Sequence, residues 1–212
     1  AEANIKSTVA FVEPDNGRDL TLTATTAVKD GEDYLINGEK AYVINGGDVG
    51  FYVVLCRTDA NAEAPKGLSM ILVPGDADGI TVTPLGVKLG MKMNVTSDIS
   101  FKDVRVPAGN LLGKEGNGLA QAEEFMMISA ILIAAQSVGM AQGSMERAID
   151  YAKDREQFKR KIAQFQNTQH KLAEVATAVE QARLLTYYAA WNFDNEKKVD
   201  PKLAAMAKTA AT

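Results

Sequence analysis

The 212 residues carry a net charge of −4 and 46% hydrophobic side chains, which is enough to bury one large core or two modest ones. This mild acidity argues against a nucleic-acid-binding protein, because such proteins need a basic surface. The single cysteine, Cys56, has no internal disulfide partner and indicates a reducing compartment, so we expect a cytoplasmic or matrix-type protein. The opening residues are too polar for a secretory signal, and the apolar run 125–135 is too short to span a bilayer, so no membrane partner is expected.

Residues 1–112 are predicted to form an antiparallel β-barrel or sandwich domain, because short apolar runs alternate with polar or Gly/Pro breaks. Asn37-Gly38 lies between two apolar runs and predicts a hairpin with a two-residue turn. A threonine-rich stretch at 20–28 predicts one half-buried strand. The other strands are predicted at residues 9–13, 51–56, 68–73, 80–85 and 97–101, and the segment 101–107 ends the β region.

Residues 113–212 are predicted to form a partial helical bundle, because the apolar period becomes helical from Gly118 onwards. The first helix is predicted to continue to about Phe158 and is apolar almost all round, which is typical of a helix buried in a bundle or an oligomer. A second helix is predicted at 164–192, and a third begins at Pro201. The fold class is therefore α+β, with long antiparallel helices of an incomplete four-helix-type bundle. We expect a fragment, or a chain that completes its core by association.

Several motifs agree in order and spacing with one known family. Glu13-Pro14 is followed by Gly17 and Asp19, and residues 37–40 are followed by 42–46. A third motif covers 101–118, and a fourth comprises Tyr151-Ala152, Arg155, Phe158, Gln166 and Leu172-Ala173. In these motifs the chain resembles the middle β-domain and the first part of the C-terminal helical domain of the acyl-CoA dehydrogenases.

The resemblance implies that FAD is bound between the β-domain and the helices. The segment 9–18 would run along the flavin and the acyl-CoA channel, and residues 42–44 would lie against the isoalloxazine ring. A guanidinium is a two-pronged donor that suits pyrophosphate oxygens, and Arg155 would reach the FAD of a neighbouring subunit with Phe158 and Gln166. The residues that the resemblance assigns to the cofactor are Phe11, Val12, Glu13, Gly17, Arg18, Tyr42, Val43, Ile44, Arg155, Phe158 and Gln166.

The resemblance also implies the reaction and the partners. It predicts a flavoprotein oxidoreductase of fatty acid metabolism that performs the α,β-dehydrogenation of an acyl-CoA thioester. Arg18, Met127 and Ala130 occupy positions next to the substrate. The expected partners are a second copy of the chain, as a homodimer or homotetramer, and an electron-transfer flavoprotein that accepts the electrons.

Several positions depart from the family pattern at the residues nearest the chemistry. Val12 and Ile44 replace threonines that face the flavin, and Arg18 replaces a small serine. Met127 and Ala130 replace an aspartate and an arginine on the long helix, and Lys159 replaces the glycine that usually follows Phe158. The family's general base is a glutamate either beyond position 212 or at the place of Ser129. No catalytic residue is therefore assigned within the chain, and the segment alone is expected to be inactive.

Two hypotheses remain open at this stage. The chain is either a segment of an acyl-CoA dehydrogenase, or a non-catalytic relative that uses the scaffold for assembly or ligand binding. Simpler interpretations of single residues also remain, since Arg155 taken alone could be a solvated helix charge. His170 has no partner at metal-ligand spacing, so no metal site is predicted.

Overall fold

The computed structural model describes residues 5–212, and residues 1–4 of the predicted β-domain lie outside the described residues. The chain divides into two compact units, Ala1–Glu123 and Glu124–Thr212. The domain boundary drawn from the sequence at 112–113 stays a prediction.

The first unit is built on a single sheet, and the second unit is helical. The strands of the sheet are β1 (Ser7–Ala10), β2 (Thr26–Asp30), β3 (Asp33–Ile44), β4 (Phe51–Arg57), β5 (Leu68–Pro74), β6 (Ile80–Pro84) and β7 (Thr96–Pro107). They are followed by helix α1 (Gly118–Asp154), the short strands β8 (Glu156–Gln157) and β9 (Arg160–Lys161), and helices α2 (Gln166–Glu196) and α3 (Pro201–Ala211). This mixture of a curled sheet and long helices confirms the predicted α+β class.

The sheet has the strand order β1-β4-β2-β3-β7-β6, with β5 also paired to β4. Most pairs are antiparallel, as predicted, but β1 runs parallel to β4 and β2 meets β4 in parallel at Thr26 and Arg57. A strand that pairs with three neighbours forces the sheet to curl around its core. That core includes Tyr52, Ile71 and Phe101, and the rings of Tyr52 and Phe101 meet edge to face at 6.2 Å.

The hairpin predicted at Asn37-Gly38 is wrong, because residues 33–44 form one continuous strand. The turn lies instead at Gly31-Glu32, where Asp30 pairs with Asp33. Gly31 has a φ of +64°, which suits the first central residue of a two-residue hairpin turn. At Asn37-Gly38 the strand passes a register shift against β7, so these residues belong to a β-bulge region and not to a chain reversal.

Two other boundaries differ from the sequence prediction. The stretch 20–28 is not one strand, because Leu20–Leu22 forms a 3-10 turn whose start is capped by Asp19, which accepts from the Thr21 N–H. The first strand ends at Ala10, so residues 11–13 leave the regular ladder and turn towards other partners. Polar side chains that bond nearby backbone groups compete with strand formation, which explains both differences.

Helix α1 ends at Asp154 and does not continue to Phe158. Phe158 and Lys159 have φ values of +52° and +61°, so they form the tight turn that joins β8 to β9. Two successive positive φ values are what a type I′ turn requires, and they cannot be part of a right-handed helix.

The helices of the second unit bury one shared core and leave other apolar faces exposed. Ile131 and Ala134 of α1 lie in a cluster with Ala189 of α2 and Ala204 of α3. Side chains of α1 outside this cluster remain open, with Leu132 at 65% and Met140 at 63% exposure. By length and composition alone α1 could cross a bilayer, a property that it shares with core helices of many soluble proteins.

Candidate functional site

A backbone hydrogen bond joins the two segments that the sequence assigns to the cofactor within the first unit. The Ala41 N–H donates to the Val12 carbonyl at 2.8 Å. This bond aligns the segment 11–18, which leaves the sheet after β1, with the segment 42–44 at the end of β3. The structure therefore places Val12 beside Ala41, the residue that precedes the segment 42–44.

The segment 42–44 owes its geometry to a second β-bulge. Between the pairs Lys40–Ile99 and Val43–Ser97, strand β3 contains one residue more than β7. Tyr42 absorbs the irregularity with a φ of +56°, and its N–H donates to the Asp98 carboxylate at 3.1 Å. Such bulges re-aim side chains and occur next to functional sites.

The bulge determines which side chains of this segment face outwards. Tyr42 is 67% exposed and Ile44 is 51% exposed, whereas Val43 is buried in the sheet core. Tyr42 and Ile44 are two residues apart, so the strand directs them to the same face. Together they form an exposed apolar step that a planar aromatic ring could cover, whereas Val43 could contribute only its backbone.

In the segment 11–18, side chains point both inwards and outwards. Phe11 is buried and Val12 is half-buried, whereas Gly17 and Arg18 are exposed. Gly17 has a φ of +51° and turns the chain before Asp19. The Arg18 guanidinium has no hydrogen bond or ion pair within residues 5–212, so it is free to meet an anion.

Glu13, by contrast, is fully engaged inside the first unit. Its carboxylate receives the Lys40 ammonium at 2.8 Å, the Ala24 N–H at 2.7 Å and the Thr25 N–H at 2.9 Å. The Asn16 side-chain amide donates to it as well, at 3.2 Å. Glu13 was assigned to the cofactor from the sequence, and the structure gives its side chain the role of joining segments of the chain.

The Glu13–Lys40 pair is almost inaccessible to water, with side-chain exposures of 7% and 0%. Burial alone would raise the pKa of Glu13, but the ammonium of Lys40 and the hydrogen bonds from Lys40, Thr25 and Ala24 hold that pKa below its usual value. Burial lowers the pKa of Lys40. The lysine also donates to the Phe11 carbonyl at 3.2 Å, so it contacts the segment 11–18 twice.

An open depression of about 390 Å³ lies beside this network. Its lining includes Glu13, Pro14, Asn16, Thr25 and Gly38. Gly38 is required there, because a Cβ atom built on it would lie 2.6 Å from the Thr25 Cα. The close approach of β3 to the residues after the 3-10 turn therefore shapes the floor of this depression.

Three predicted cofactor residues of the second unit lie on or beside the β8–β9 hairpin. Phe158, at the tip, is 88% exposed and meets the Phe165 ring edge to face at 6.5 Å. Arg155 and Gln166 flank the hairpin and are exposed. The Arg155 side chain has no hydrogen bond or ion pair among the described residues, and its contact with a neighbouring subunit's cofactor stays a prediction.

Internal contacts hold this hairpin in a defined shape. Lys161 pairs with Glu156 at 3.1 Å and donates to the Asp154 carbonyl at 2.8 Å. The Arg160 guanidinium lies 4.7 Å from the centre of the Phe165 ring. These non-covalent contacts fix the shape of the hairpin, so its exposed residues are well placed to contact a ligand.

The predicted substrate residues on α1 are half-buried. Met127 and Ala130 pack against the helical core that contains Ile131, and Ser129 lies between them. Met127 and Ala130 provide apolar surface and no charge, so they could not hold a substrate by an ion pair.

No group of three or more His, Cys, Asp or Glu side chains that could hold a metal ion occurs within residues 5–212. His170 is exposed on α2. Cys56 is fully buried, and this burial raises the pKa of its thiol to about 12, so it is a core residue rather than a nucleophile.

Nothing in the local sequence predicts that Lys40 bonds the segment 11–18 or that Asp98 bonds Tyr42. A lysine is seldom fully buried, and nothing local in the sequence distinguishes Lys40 from an exposed one. The only available signal was its place in the motif at 37–46, directly before the residues assigned to the isoalloxazine ring.

Comparisons with known proteins show the family to which both parts of the chain are similar. The sequence model of the acyl-CoA dehydrogenase middle domain matches residues 8–104, and that of the acyl-CoA dehydrogenase C-terminal domain matches residues 116–212. The short-chain specific acyl-CoA dehydrogenase of Rattus norvegicus is 40% identical over 203 residues, which cover 96% of this chain and 49% of that protein.

Solved structures give the same result. Butyryl-CoA dehydrogenase from Megasphaera elsdenii is 33% identical, with a TM-score of 0.93 over 98% of this chain and 54% of its own. A chain solved in work on the electron transferring flavoprotein of Acidaminococcus fermentans is 38% identical, with a TM-score of 0.95 over 100% of this chain and 55% of its own. The chain spans about half the length of the curated relatives it matches. Its two successive domain matches place it in one family, and the chain belongs to the acyl-CoA dehydrogenases.

Proposed function

We propose that the protein carrying this chain is an FAD-dependent acyl-CoA dehydrogenase. The observation that carries the proposal is the union of the segments 11–18 and 42–44 by the Ala41–Val12 hydrogen bond of 2.8 Å. Tyr42 and Ile44 form an exposed apolar step after this bond, and Arg18, further along the first segment, is exposed. Both segments lie within residues 8–104, which match the acyl-CoA dehydrogenase middle domain, and the chain is similar to relatives named as acyl-CoA dehydrogenases. This similarity supports a cofactor-binding role for the two segments.

The residues present fit the cofactor. Tyr42 and Ile44 would lie against the isoalloxazine ring and exclude water from it, which favours hydride transfer over side reactions. Arg155 and Gln166 would donate to the phosphates of FAD bound by a neighbouring subunit, since both are exposed and a guanidinium matches phosphate oxygens. When bound, FAD supplies the acceptor for the hydride that leaves the β-carbon of the acyl group.

The proposed substrate is an acyl-CoA thioester. Arg18 would attract the phosphates of coenzyme A, and Met127 and Ala130 would offer apolar surface to the acyl chain. The α-proton needs a carboxylate base, and we assign that role to no residue of this chain.

We further propose that the protein acts as a homodimer or homotetramer and passes electrons to an electron-transfer flavoprotein. The exposed apolar faces of α1 and α2, which include Leu132, Met140 and Trp191, support association with further protein. A reducing compartment such as the cytoplasm is proposed on the ground that the cysteine, Cys56, is a free thiol.

A second candidate function is assembly or ligand binding by a non-catalytic relative of the acyl-CoA dehydrogenases. Val12 and Ile44 stand where the family pattern has threonines, so two hydroxyl donors are absent from the predicted surroundings of the ring. Met127 and Ala130 stand where the pattern has an aspartate and an arginine, so α1 lacks those two charges. These replacements favour a scaffold that keeps the fold without the reaction.

One experiment separates the two functions. The full-length protein is purified, its visible spectrum is recorded, and acyl-CoAs of increasing chain length are added without oxygen. A flavin spectrum that bleaches supports the dehydrogenase. A protein that holds FAD but never bleaches supports the second candidate, and a colourless protein that cannot be reconstituted with FAD refutes the proposal.

Matched variants test whether the segment 42–44 forms the flavin surface, the protein surface against which the isoalloxazine ring lies. Ile44 and Val28 are both β-branched strand residues with similar exposure, 51% and 59%. Ile44→Asp places a charge where the ring would lie and is expected to weaken FAD binding at least about tenfold. Val28→Asp is expected to bind FAD as the wild type does. Equal binding by both variants would show that the ring lies elsewhere.

A further inference from the structure

We propose that Lys40 and Glu13 are positioning residues that hold the two cofactor segments of the first unit at a fixed separation. The inference rests on the proposed function, because it concerns the surface assigned to the flavin. Neither side chain would touch the cofactor. Both are buried, and they act through the backbone of the residues that would touch it.

The contacts of Lys40 reach the first cofactor segment directly. Its ammonium donates to the Phe11 carbonyl at 3.2 Å and to the Glu13 carboxylate at 2.8 Å. The next residue along β3, Ala41, donates its N–H to the Val12 carbonyl at 2.8 Å. Three consecutive residues of the segment 11–18 are therefore tied to two consecutive residues of β3.

The contacts of Glu13 extend the network to a third segment. Its two oxygens receive the backbone N–H groups of Ala24 and Thr25, and the Glu13 N–H itself donates to the Asn16 side chain at 2.9 Å. Residues 11–13 lie outside any strand, so the sheet ladder does not order them. Lys40 supplies the hydrogen bond to the Phe11 carbonyl, whereas Ala41 supplies that to the Val12 carbonyl and Asn16 accepts from the Glu13 N–H.

The charged pair forms hydrogen bonds to backbone groups, which an apolar pair could not form. Buried ion pairs contribute little net stability compared with well-packed apolar side chains, because desolvation opposes the attraction. Lys40 and Glu13 instead contact backbone groups through charge-assisted hydrogen bonds, which are short and directional. Their function is therefore the fixed geometry of Phe11, Val12 and Tyr42, and not bulk stability.

The geometry matters because small displacements at a reacting centre are costly. A shift of about 1 Å in a positioning group can reduce a rate by about a hundredfold. Tyr42 is two residues from Lys40 and lies on the bulge that follows it. Loss of the ammonium would remove the hydrogen bonds to the Phe11 carbonyl and the Glu13 carboxylate, and so loosen the segment 11–18 while the bulge at Tyr42 remains.

The test compares variants of the full-length holoprotein. Lys40→Met keeps the length of the side chain without its charge, and the double variant Lys40→Met/Glu13→Gln avoids an unpaired buried carboxylate. Val104→Ala is the matched control, because it removes core volume from β7 and lowers stability without touching either segment. Arg105→Gln is a second control that breaks the exposed pair with Asp33.

The readouts are the FAD dissociation constant, the visible flavin spectrum and the thermal midpoint. The double variant is expected to bind FAD at least about tenfold more weakly with a shifted spectrum. Val104→Ala is expected to keep both properties at a comparable loss of thermal midpoint. A folded double variant with wild-type FAD affinity and spectrum would overturn the proposal, as would an equal loss in Val104→Ala.

Amide hydrogen exchange of the FAD-free protein separates this inference from the proposed function. Lys40→Met should raise exchange at Ala24, Thr25 and Ala41 more than Val104→Ala does, whether or not the wild type binds FAD. If the wild type binds no FAD, the proposed function fails while this part of the test still decides the network. Equal exchange in the two variants would refute the positioning role.

Discussion

Asn37 and Asp103 are joined by two hydrogen bonds across β3 and β7. The Asn37 side-chain amide donates to the Asp103 carboxylate at 3.1 Å, and the Asp103 N–H donates to Asn37 Oδ1 at 2.8 Å. Asp103 has a φ of +51°, so this exchange stabilises the extra residue of the bulge in β7. The bulge in β3 is stabilised in the same way, because the Asp98 carboxylate accepts a hydrogen bond from the Tyr42 N–H. Both register shifts between β3 and β7 thus have a side chain that accepts from an N–H of the bulge.

Gly38 lies at the first of these bulges, and replacing it should be costly. Its φ is +146°, and an added Cβ would meet the Thr25 backbone at 2.6 Å. Gly38→Ala is expected to lower the free energy of unfolding by more than about 2 kcal/mol, measured by urea denaturation. Gly109→Ala is the control, because a Cβ there has nothing within 4 Å. A similar effect of the two substitutions would contradict the close approach.

The pH dependence of stability should report the Glu13–Lys40 pair. Because the pKa of Glu13 is lowered in the folded state, its contribution is present above the unfolded-state pKa of about 4.3 and is lost as the pH falls through the lower folded value. The difference in unfolding free energy between wild type and Glu13→Gln should therefore shrink below about pH 4.3. Denaturation curves from pH 6 to pH 3 measure it. Glu63→Gln, at an exposed position, should show no such trend.

Cys56 should be inert in the folded protein. It is fully buried and the pKa of its thiol is raised to about 12, so almost no thiolate exists near neutrality. Ellman's reagent at pH 8 is expected to leave the native protein unlabelled and to titrate one thiol in denaturant. Rapid labelling without denaturant would show that the sheet core opens readily.

The turn at Phe158-Lys159 stores strain that glycine would relieve. Lys159 has a φ of +61°, a left-handed conformation that costs a side-chain-bearing residue about 1 kcal/mol. Lys159→Gly should raise the free energy of unfolding by about that amount. Lys198→Gly, at a position without a positive φ, should give no gain. If both variants lose stability, the hairpin has another geometry in solution.

Hydroxyls restored beside the flavin surface should change the cofactor's potential. A hydroxyl donor near the ring stabilises the more negative reduced form by about 1 kcal/mol, which corresponds to about 20–30 mV for two electrons. Val12→Thr and Ile44→Thr are each expected to raise the potential by that amount in spectroelectrochemical titration. Val28→Thr should leave it unchanged. No shift in either variant would remove these positions from the ring's surroundings.

The fold class followed from the sequence because strand and helix periods differ along the chain, and Pro201 indicated the start of the third helix correctly. Asp200 caps that helix by accepting from the Lys202 and Leu203 N–H groups. The bulge at Asn37 could not be foreseen, because the residue that completes it, Asp103, is distant in sequence. An Asn-Gly pair is favoured by a turn and by a bulge alike, and only the partner strand decides between them.

Sequence motifs predicted candidate site residues, but they did not predict which of the side chains are buried. The assignment of residues 42–44 to the cofactor came from a motif and stays a prediction, to which the structure adds that Val43 is buried while its neighbours are exposed. The buried state of Lys40 had no local signature, since lysine is ordinarily a surface residue. The same limit applies to Glu13, whose partners at Ala24 and Thr25 come from an irregular segment.

The mutual dependence of Lys40 and Glu13 also restricts how this sequence can evolve. Loss of either partner strands a charge in the interior at about 3–5 kcal/mol, a large part of the about 5–15 kcal/mol that holds a domain together. A single substitution at either position should therefore cost more stability than a simultaneous exchange of both. Descendants of this chain should inherit the two residues together or replace them together.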